Sequence, residues 1–355
     1  MTDTKQDSAL SKRVASRCVQ AAVFAAVVIV CHPAFAKHSS HKEAGRLQPR
    51  SRIAGQASTS SEACDRDCLE GMVNRYLAAI LAHAPAQLPV TGNLKFTENG
   101  QKMALGDGLW RTASAAGKYR HLITDPQAAQ AGFIGTIREN GVGAILALRL
   151  AVADRRVTQV ETIVVRDRKA AALYDDLAAP DPAWDKAEPM TGRVSRDKLI
   201  AAADEFFTGI EKSRSSGVPL DDACERWDNG LQTTHNPQAS PIDPGYRSFR
   251  PFGLGCAQQL DSHYYSYIAR IRNRRYPIVD VARGLVFAIA AFDYPGDIPA
   301  VAVPGVGYIA VREAFRSPGT YLVPALFKIR GGKILRIELL ECSVPYRMKS
   351  GWDAP

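Results

Sequence analysis

The chain lacks the short motifs that mark the large nucleotide and hydrolase classes. There is no Walker A run, no GxGxxG following a strand, no HExxH and no GxSxG elbow, which sets aside nucleotide, dinucleotide, zinc-peptidase and serine-hydrolase chemistry. No Cys or His sits at zinc-ligand spacing beside Cys64 and Cys68, so neither a metal nor a cofactor is expected. The apolar run from Val19 to Val30 is shorter than the roughly 20 residues a bilayer-spanning helix needs, and Pro33 follows it. What is present is ordinary for a globular chain: 355 residues, 46% hydrophobic and 23% charged, enough for two domains or one large one.

Lys12, Arg13 and Arg17 precede the apolar run, and Ala34-Phe35-Ala36 closes it. That is the layout of a secretory signal over 1–36 with cleavage after Ala36. Cleavage lowers the formal charge of +9 by 2, and the tail 37–60, with five basic residues against Glu43, holds +4 of the remainder. The +3 left is spread over nearly 300 residues, a mixed surface with no nucleic-acid footprint. The tail itself is a basic, disordered spacer by composition. A secreted or periplasmic location makes disulfides the default for cysteines. Cys224 and Cys256 would close a loop of about 33 residues, worth roughly 3 to 4 kcal/mol on the chain-entropy model. Cys64 and Cys68 could pair at a helix start, although four-apart cysteines inside a regular helix point poorly toward each other. Cys342 is left over as a buried thiol.

The pattern runs through the chain twice. Ser61 can cap a helix carrying Leu69, Met72, Val73, Tyr76, Leu77, Ile80 and Leu81, and Ser195 can cap one carrying Leu199, Ile200, Ala203, Phe206, Phe207 and Ile210. Each precedes a β-rich stretch, with strands expected near 119–124, 132–139, 143–153 and 156–166, then 264–275, 284–293, 320–330 and 333–342. Leu148 to Glu161 aligns without gaps on Ala325 to Glu338 at an offset of 177, and Glu98-Asn99-Gly100 matches Asp228-Asn229-Gly230. These Asn-Gly pairs, like Asn140-Gly141, read as turns. A duplication follows, with domains at 61–170 and 195–355 joined by a linker at 171–194. Matching Gly132 to Gly284 gives the second half about 25 extra residues before its last hairpin. A Pro- and Gly-rich stretch runs from Asn236 to Gly255. Both are candidate binding loops, which makes the second half the preferred pocket.

The hairpin FKIRGGKILRIE, Phe327 to Glu338, following a long amphipathic helix and a short one, resembles the nuclear transport factor 2-like superfamily, also called SnoaL-like. Cys64-x-x-x-Cys68-Leu69, FTENGQKMALGDGLW (96–110), RRYPIVD (274–280) and PYRMKSGW (345–352) further resemble a tandem family of secreted proteins, frequent in fungi and classed as a domain of unknown function. The resemblance spans about residues 64 to 352. It implies an α+β protein of two tandem cone-like barrels, each an N-terminal helix packed on a curved antiparallel sheet. It also implies an apolar pocket used by lyases, isomerases and dehydratases, or by binding and dimerisation modules without catalysis.

Acid–base work in such a pocket needs a carboxylate or His with an orienting partner. In LDSHYYSYIARIRNRR, His263 is the candidate base or acid, Asp261 its orienter and Tyr265 a donor. Asp228, His235, Tyr267, Asp293 and Trp110 are candidate ligand contacts. In a strand starting near Tyr265, Tyr265, Tyr267, Ala269 and Ile271 share one face, with Arg270, Arg272 and Arg274 in solvent. Glu98, Asp107, Trp110, Arg111 and His121 could form a smaller pocket in the first half. Glu161 and Glu338, at equivalent hairpin positions, suggest a repeated structural pairing, for instance with Arg149 or Lys328. The expected activity is binding of a small, largely apolar organic molecule with cofactor-free lyase, isomerase or dehydratase chemistry, the alternative being a non-catalytic ligand-binding or envelope interaction module, and no nucleic-acid partner is expected. Nor is stable membrane insertion expected after cleavage, while a homo-oligomer is possible.

Overall fold

A computed structural model describes residues 63–241 and 248–353. The expected signal, the basic tail and Ser61 lie outside the described residues.

In the first half, α1 (Arg66–Leu81) carries its apolar residues at three- and four-residue spacing, and Leu69, Met72, Val73, Tyr76, Leu77 and Ile80 are all buried. At about 1.5 to 3 kcal/mol for each large side chain, that face holds the helix on its sheet. Its cap is Asp65, whose carboxylate accepts from the Cys68 amide at 2.9 Å, a role the sequence reading gave to Ser61. Then come β1 (Val90–Glu98), β2 (Gln101–Lys102), α2 (Leu109–Thr112), β3 (Ala113–Asp125), β4 (Gln130–Glu139), β5 (Val142–Ala153), β6 (Arg156–Val165) and α3 (Arg168–Leu177). The second half repeats the plan with α4 (Arg196–Lys212), β7 (Leu220–Asp228), β8 (Leu231–Gln232), α5 (Cys256–Asp261), β9 (Arg270–Asp280) and β10 (Leu285–Tyr294). The ribbon β11 (Ala300–Val303) and β12 (Gly307–Ala310) follows, then β13 (Gly319–Arg330), β14 (Lys333–Leu339) and β15 (Cys342–Val344). Ser195 caps α4 as expected, accepting from the Lys198 amide.

The fold is mixed α+β with two large sheets. One runs β2-β1-β6-β5-β4-β3 and the other β8-β7-β14-β13-β10-β9, with β15 added on β13. In each, the outer hairpin joins its sheet by a parallel pairing, β1 with β6 and β7 with β14, where antiparallel sheets were expected. Neither closes into a barrel, because the terminal strands of each order do not pair with one another. Asn99-Gly100, Asn140-Gly141 and Asn229-Gly230 are hairpin turns with positive φ at both residues, the type I′ geometry that fits strand twist. Asn99 bonds the backbone of Val164, and Asn229 bonds that of Glu341 in the same way.

Three apolar cores result. One lies between α1 and the first sheet and one between α4 and the second, taking in Val301, Val303 and Ile309 of the ribbon. The third joins the remaining faces of the two sheets, with Ile123, Ile134 and Ile145 meeting Ile278, Phe287 and Leu326. Reciprocal ion pairs pin this joint. Arg66 at the start of α1 reaches Asp280 at the end of β9 at 2.8 Å, and Arg196 at the start of α4 reaches Asp125 at the end of β3 at 2.6 Å. The described residues belong to one compact unit.

Some expectations shift. The strand expected over 264–275 is β9, Arg270–Asp280, so Tyr265 and Tyr267 lie in the turn before it. Arg272 and Arg274 are ion-paired to Asp293 and to Asp204 and Glu211 rather than free in solvent. The stretch 171–194 is no bare linker, since α3 runs into it and buries Tyr174. Gly284 precedes β10 and corresponds to Ala129 before β4, both at positive φ, so its match to Gly132 was out of register. The extra residues form the β11–β12 ribbon, whose apolar side chains pack on the second core. Both disulfides are present, Cys64–Cys68 and Cys224–Cys256. The first is possible because Cys64 precedes the Asp65 cap and so lies outside the helix.

Candidate functional site

The residues expected from sequence divide between structural roles and a pocket between α3 and the second sheet. The Asp261 carboxylate is taken by the amide and hydroxyl of Ser215, at 2.7 and 2.8 Å, and ties α5 to the loop after α4. His263 is exposed at φ 59°, so the proposed dyad does not assemble: the carboxylate is already spent and the imidazole faces water. His235 is exposed too. Asp293 is buried between Arg272 at 2.8 Å and Thr320 at 2.6 Å. Trp110 lies in the first core, edge-on to Tyr76 at 5.2 Å. Glu98 accepts from the Leu109 amide and from Arg166, both at 2.8 Å, while Asp107 and Arg111 form a surface pair. These residues build no first-half pocket.

Asp228, Tyr265 and Tyr267 do come together, with Arg312, Phe315 and Glu341, around a pocket of about 280 Å³ whose other wall is the start of α3, Lys169, Ala170 and Leu173. Its charges are largely matched. Arg226, buried beneath, bonds Asp228 at 2.9 Å and lies 4.6 Å from the Tyr265 ring centre. Burial, reinforced by the Asp228 charge, pushes the Glu341 carboxyl up to about 7.

A second pocket, of about 390 Å³, opens between the halves and was not expected. Tyr119 on β3, Tyr174 on α3 and Trp184 come from the first half and the segment after it, and Trp227 on β7, Arg336 and Glu338 on β14 from the second. Its floor is Glu338, 3% exposed, which accepts a hydrogen bond from the Tyr174 hydroxyl at 2.6 Å. Burial lifts this carboxyl up to about 7, against the pull of the Tyr174 and Tyr119 hydroxyls. The rim carries Arg336, paired to Asp181 at 2.7 Å and to Glu225 at 3.5 Å, over the Trp227 ring. Asp181 in turn caps the turn at 181–184 that presents Trp184.

The pairing expected for Glu338 is therefore wrong in its partner. Lys328 goes to Glu188 at 3.3 Å and to two backbone carbonyls. For Glu161 the expected partner Arg149 is present at 3.0 Å, joined by Arg275 at 2.6 Å.

Gly230 sets the pocket's wall. At φ 81°, a Cβ there would meet the Tyr174 ring at 2.9 Å, whereas at Gly141, φ 82°, it would meet nothing within 4 Å. Gly230→Ala is expected to cost about 2 kcal/mol, against about 1 kcal/mol for Gly141→Ala, where only backbone strain acts. Urea unfolding of the two variants measures the difference, and equal losses would mean that Tyr174 yields freely.

The class defined so far is an α+β protein with two like sheets and a pocket between its halves. Residues 192–340, from α4 through β14, match a family described as a domain of unknown function (DUF8021). That span includes Trp227, Arg336 and Glu338 but none of the first-half wall. No curated protein matches the chain. A similar solved structure is the crystal structure of a de novo designed protein with curved β-sheet, 9% identical, covering 32% of this chain and 96% of its own, with a TM-score of 0.25.

Proposed function

We propose that the chain is a secreted or periplasmic protein that binds a small, largely apolar organic molecule in the pocket walled by Tyr119, Tyr174, Trp184 and Trp227. The observation that carries this reading is the pocket itself: about 390 Å³ with aromatic walls converging on one buried carboxyl, the composition of a small-molecule site. The two disulfides support a location outside the reducing cytosol. Among the described residues no helix is long and apolar enough to cross a membrane. The shared strand order of the two sheets, each with its parallel outer hairpin, supports reading the halves as tandem nuclear transport factor 2-like units.

A second reading, lyase or isomerase chemistry, is favoured by Glu338 alone, whose pKa of about 7 suits proton transfer at neutral pH. Untargeted mass spectrometry of molecules co-purifying with wild type and with Glu338→Gln separates the two. A ligand kept only by the variant means turnover; the same unchanged ligand on both means binding.

The pocket is tested with N-phenyl-1-naphthylamine, a neutral dye that brightens in apolar surroundings. Wild type is expected to take up one equivalent, with affinity reduced at least about tenfold in Trp184→Ala, since each aromatic wall contributes more than about 1.4 kcal/mol. Uptake unaffected in both Trp184→Ala and Trp227→Ala would place the dye elsewhere.

A further inference from the structure

The duplication lets the pocket be compared with its own counterpart. Glu161 and Glu338 hold the same place in the repeat: Glu161 pairs in parallel with Thr97 and antiparallel with Arg149, and Glu338 with Trp227 and Leu326. Around Glu161 the free space is only about 10 Å³. Beside it packs Trp352, whose indole donates to Thr97 at 2.8 Å and whose ring faces Lys95 at 4.0 Å, Arg149 at 4.5 Å and Arg275 at 5.6 Å.

Each of those three cations is missing around Glu338. Lys95 pairs with Gln159 in the first sheet, and the matching pair in the second is Glu225 with Arg336, so an acid replaces the lysine. Leu326 replaces Arg149. The strand partner of Ile289 is Arg275, whereas that of Ile134, the same position in β4, is His121. His121 is 1% exposed, and burial drives its pKa down to about 4, so it is neutral at pH 7. Among the described residues the cation at the rim is Arg336, which is shared between Asp181 and Glu225. What remains, among the described residues, is a carboxyl without a counter-ion, at the floor of a pocket with four aromatic walls.

The geometry points to a ligand that brings the missing cation: an aromatic or aliphatic molecule bearing an ammonium or guanidinium group, seated on Glu338 with cation–π contact to the surrounding rings. This rests on the reading of the pocket as the ligand site. The protein would thus complete with a bound molecule the cluster that its other half completes with its own side chains.

The test is displacement of N-phenyl-1-naphthylamine at pH 8 by 2-phenylethylammonium and by 2-phenylethanol, which is similar in shape and neutral. The ammonium ion is expected to displace the dye at a concentration at least about tenfold lower than the alcohol. In Glu338→Gln that preference should vanish. Equal potency of the two in wild type, or no displacement by the ammonium ion, overturns the inference and leaves the apolar-ligand reading standing. No uptake of the dye at all overturns that reading instead.

Discussion

Glu338→Gln is expected to make the protein more stable above pH 7 and to leave it nearly unchanged at pH 4 and below. The Glu338 carboxyl titrates at about 7 in the folded chain, against an ordinary value of 4.5. The native state therefore binds its proton more tightly than the unfolded state does. Below about 4.5 both states hold it and there is no difference. Between 4.5 and 7 the unfolded chain releases it first, so stability falls as pH rises through that window and the full cost is present above 7. A shift of that size corresponds to at most about 3 kcal/mol. Gln keeps the shape, offers its amide to the Tyr174 and Tyr119 oxygens and carries no charge to desolvate. Thermal melts of wild type and variant at pH 4 and pH 8 measure the effect: the curves should nearly coincide at pH 4, with the variant several degrees higher at pH 8. Parallel pH dependence in the two proteins would show that Glu338 is not the group held out of water.

How much of this was legible in the sequence depends on how local the signal is. The helices α1 and α4 announce themselves through apolar spacing, and the Ser195 cap and the three Asn-Gly turns through residue chemistry that acts over four positions. The hairpins β5–β6 and β13–β14 were readable because their pleat alternates against a turn of fixed geometry. The parallel pairings of β1 with β6 and β7 with β14 join segments about 65 and more than 100 residues apart, and nothing in nine polar-leaning residues says which distant strand they will meet. Helix α3 was read as linker because the side chain it buries most deeply, Tyr174, packs against Tyr119 and bonds Glu338 of the other half, surroundings that exist only once both sheets are formed. The dyad failed for a related reason. Asp261 and His263 are two apart at a helix end, and local spacing could not show that Ser215 would capture the carboxylate. The pocket did leave a trace: aligned at the offset of 177, Arg149 falls on Leu326 while Glu161 falls on Glu338. An acid that keeps its place while its partner turns apolar is a difference between the repeats that the aligned residues already carry.

The same exchange, made in the opposite half, is expected to have the opposite sign. Glu161→Gln should destabilise the protein by about 3 to 5 kcal/mol, the usual result of removing one member of a buried ion cluster. Arg149 is 3% exposed and Arg275 partly buried, and both would keep their charge while facing an amide that can accept only one strong bond. Arg149 has Gln130 and Gln159 at 2.9 and 3.0 Å as further acceptors, but neither carries a charge. Adding Arg149→Leu to Glu161→Gln recreates at the first site the apolar neighbour that Leu326 gives Glu338. Since a buried ion pair can often be replaced by apolar residues at little net cost, the double variant is expected to recover at least half of the loss. Urea unfolding of the two single variants and the double gives the coupling directly. If the losses simply add, Glu161 and Arg149 are not one electrostatic unit, and the contrast between a site closed by its own cations and one left open for a ligand fails with it. If they couple as expected, two copies of one carboxylate position will have been shown to differ in sign because of the charges placed around them.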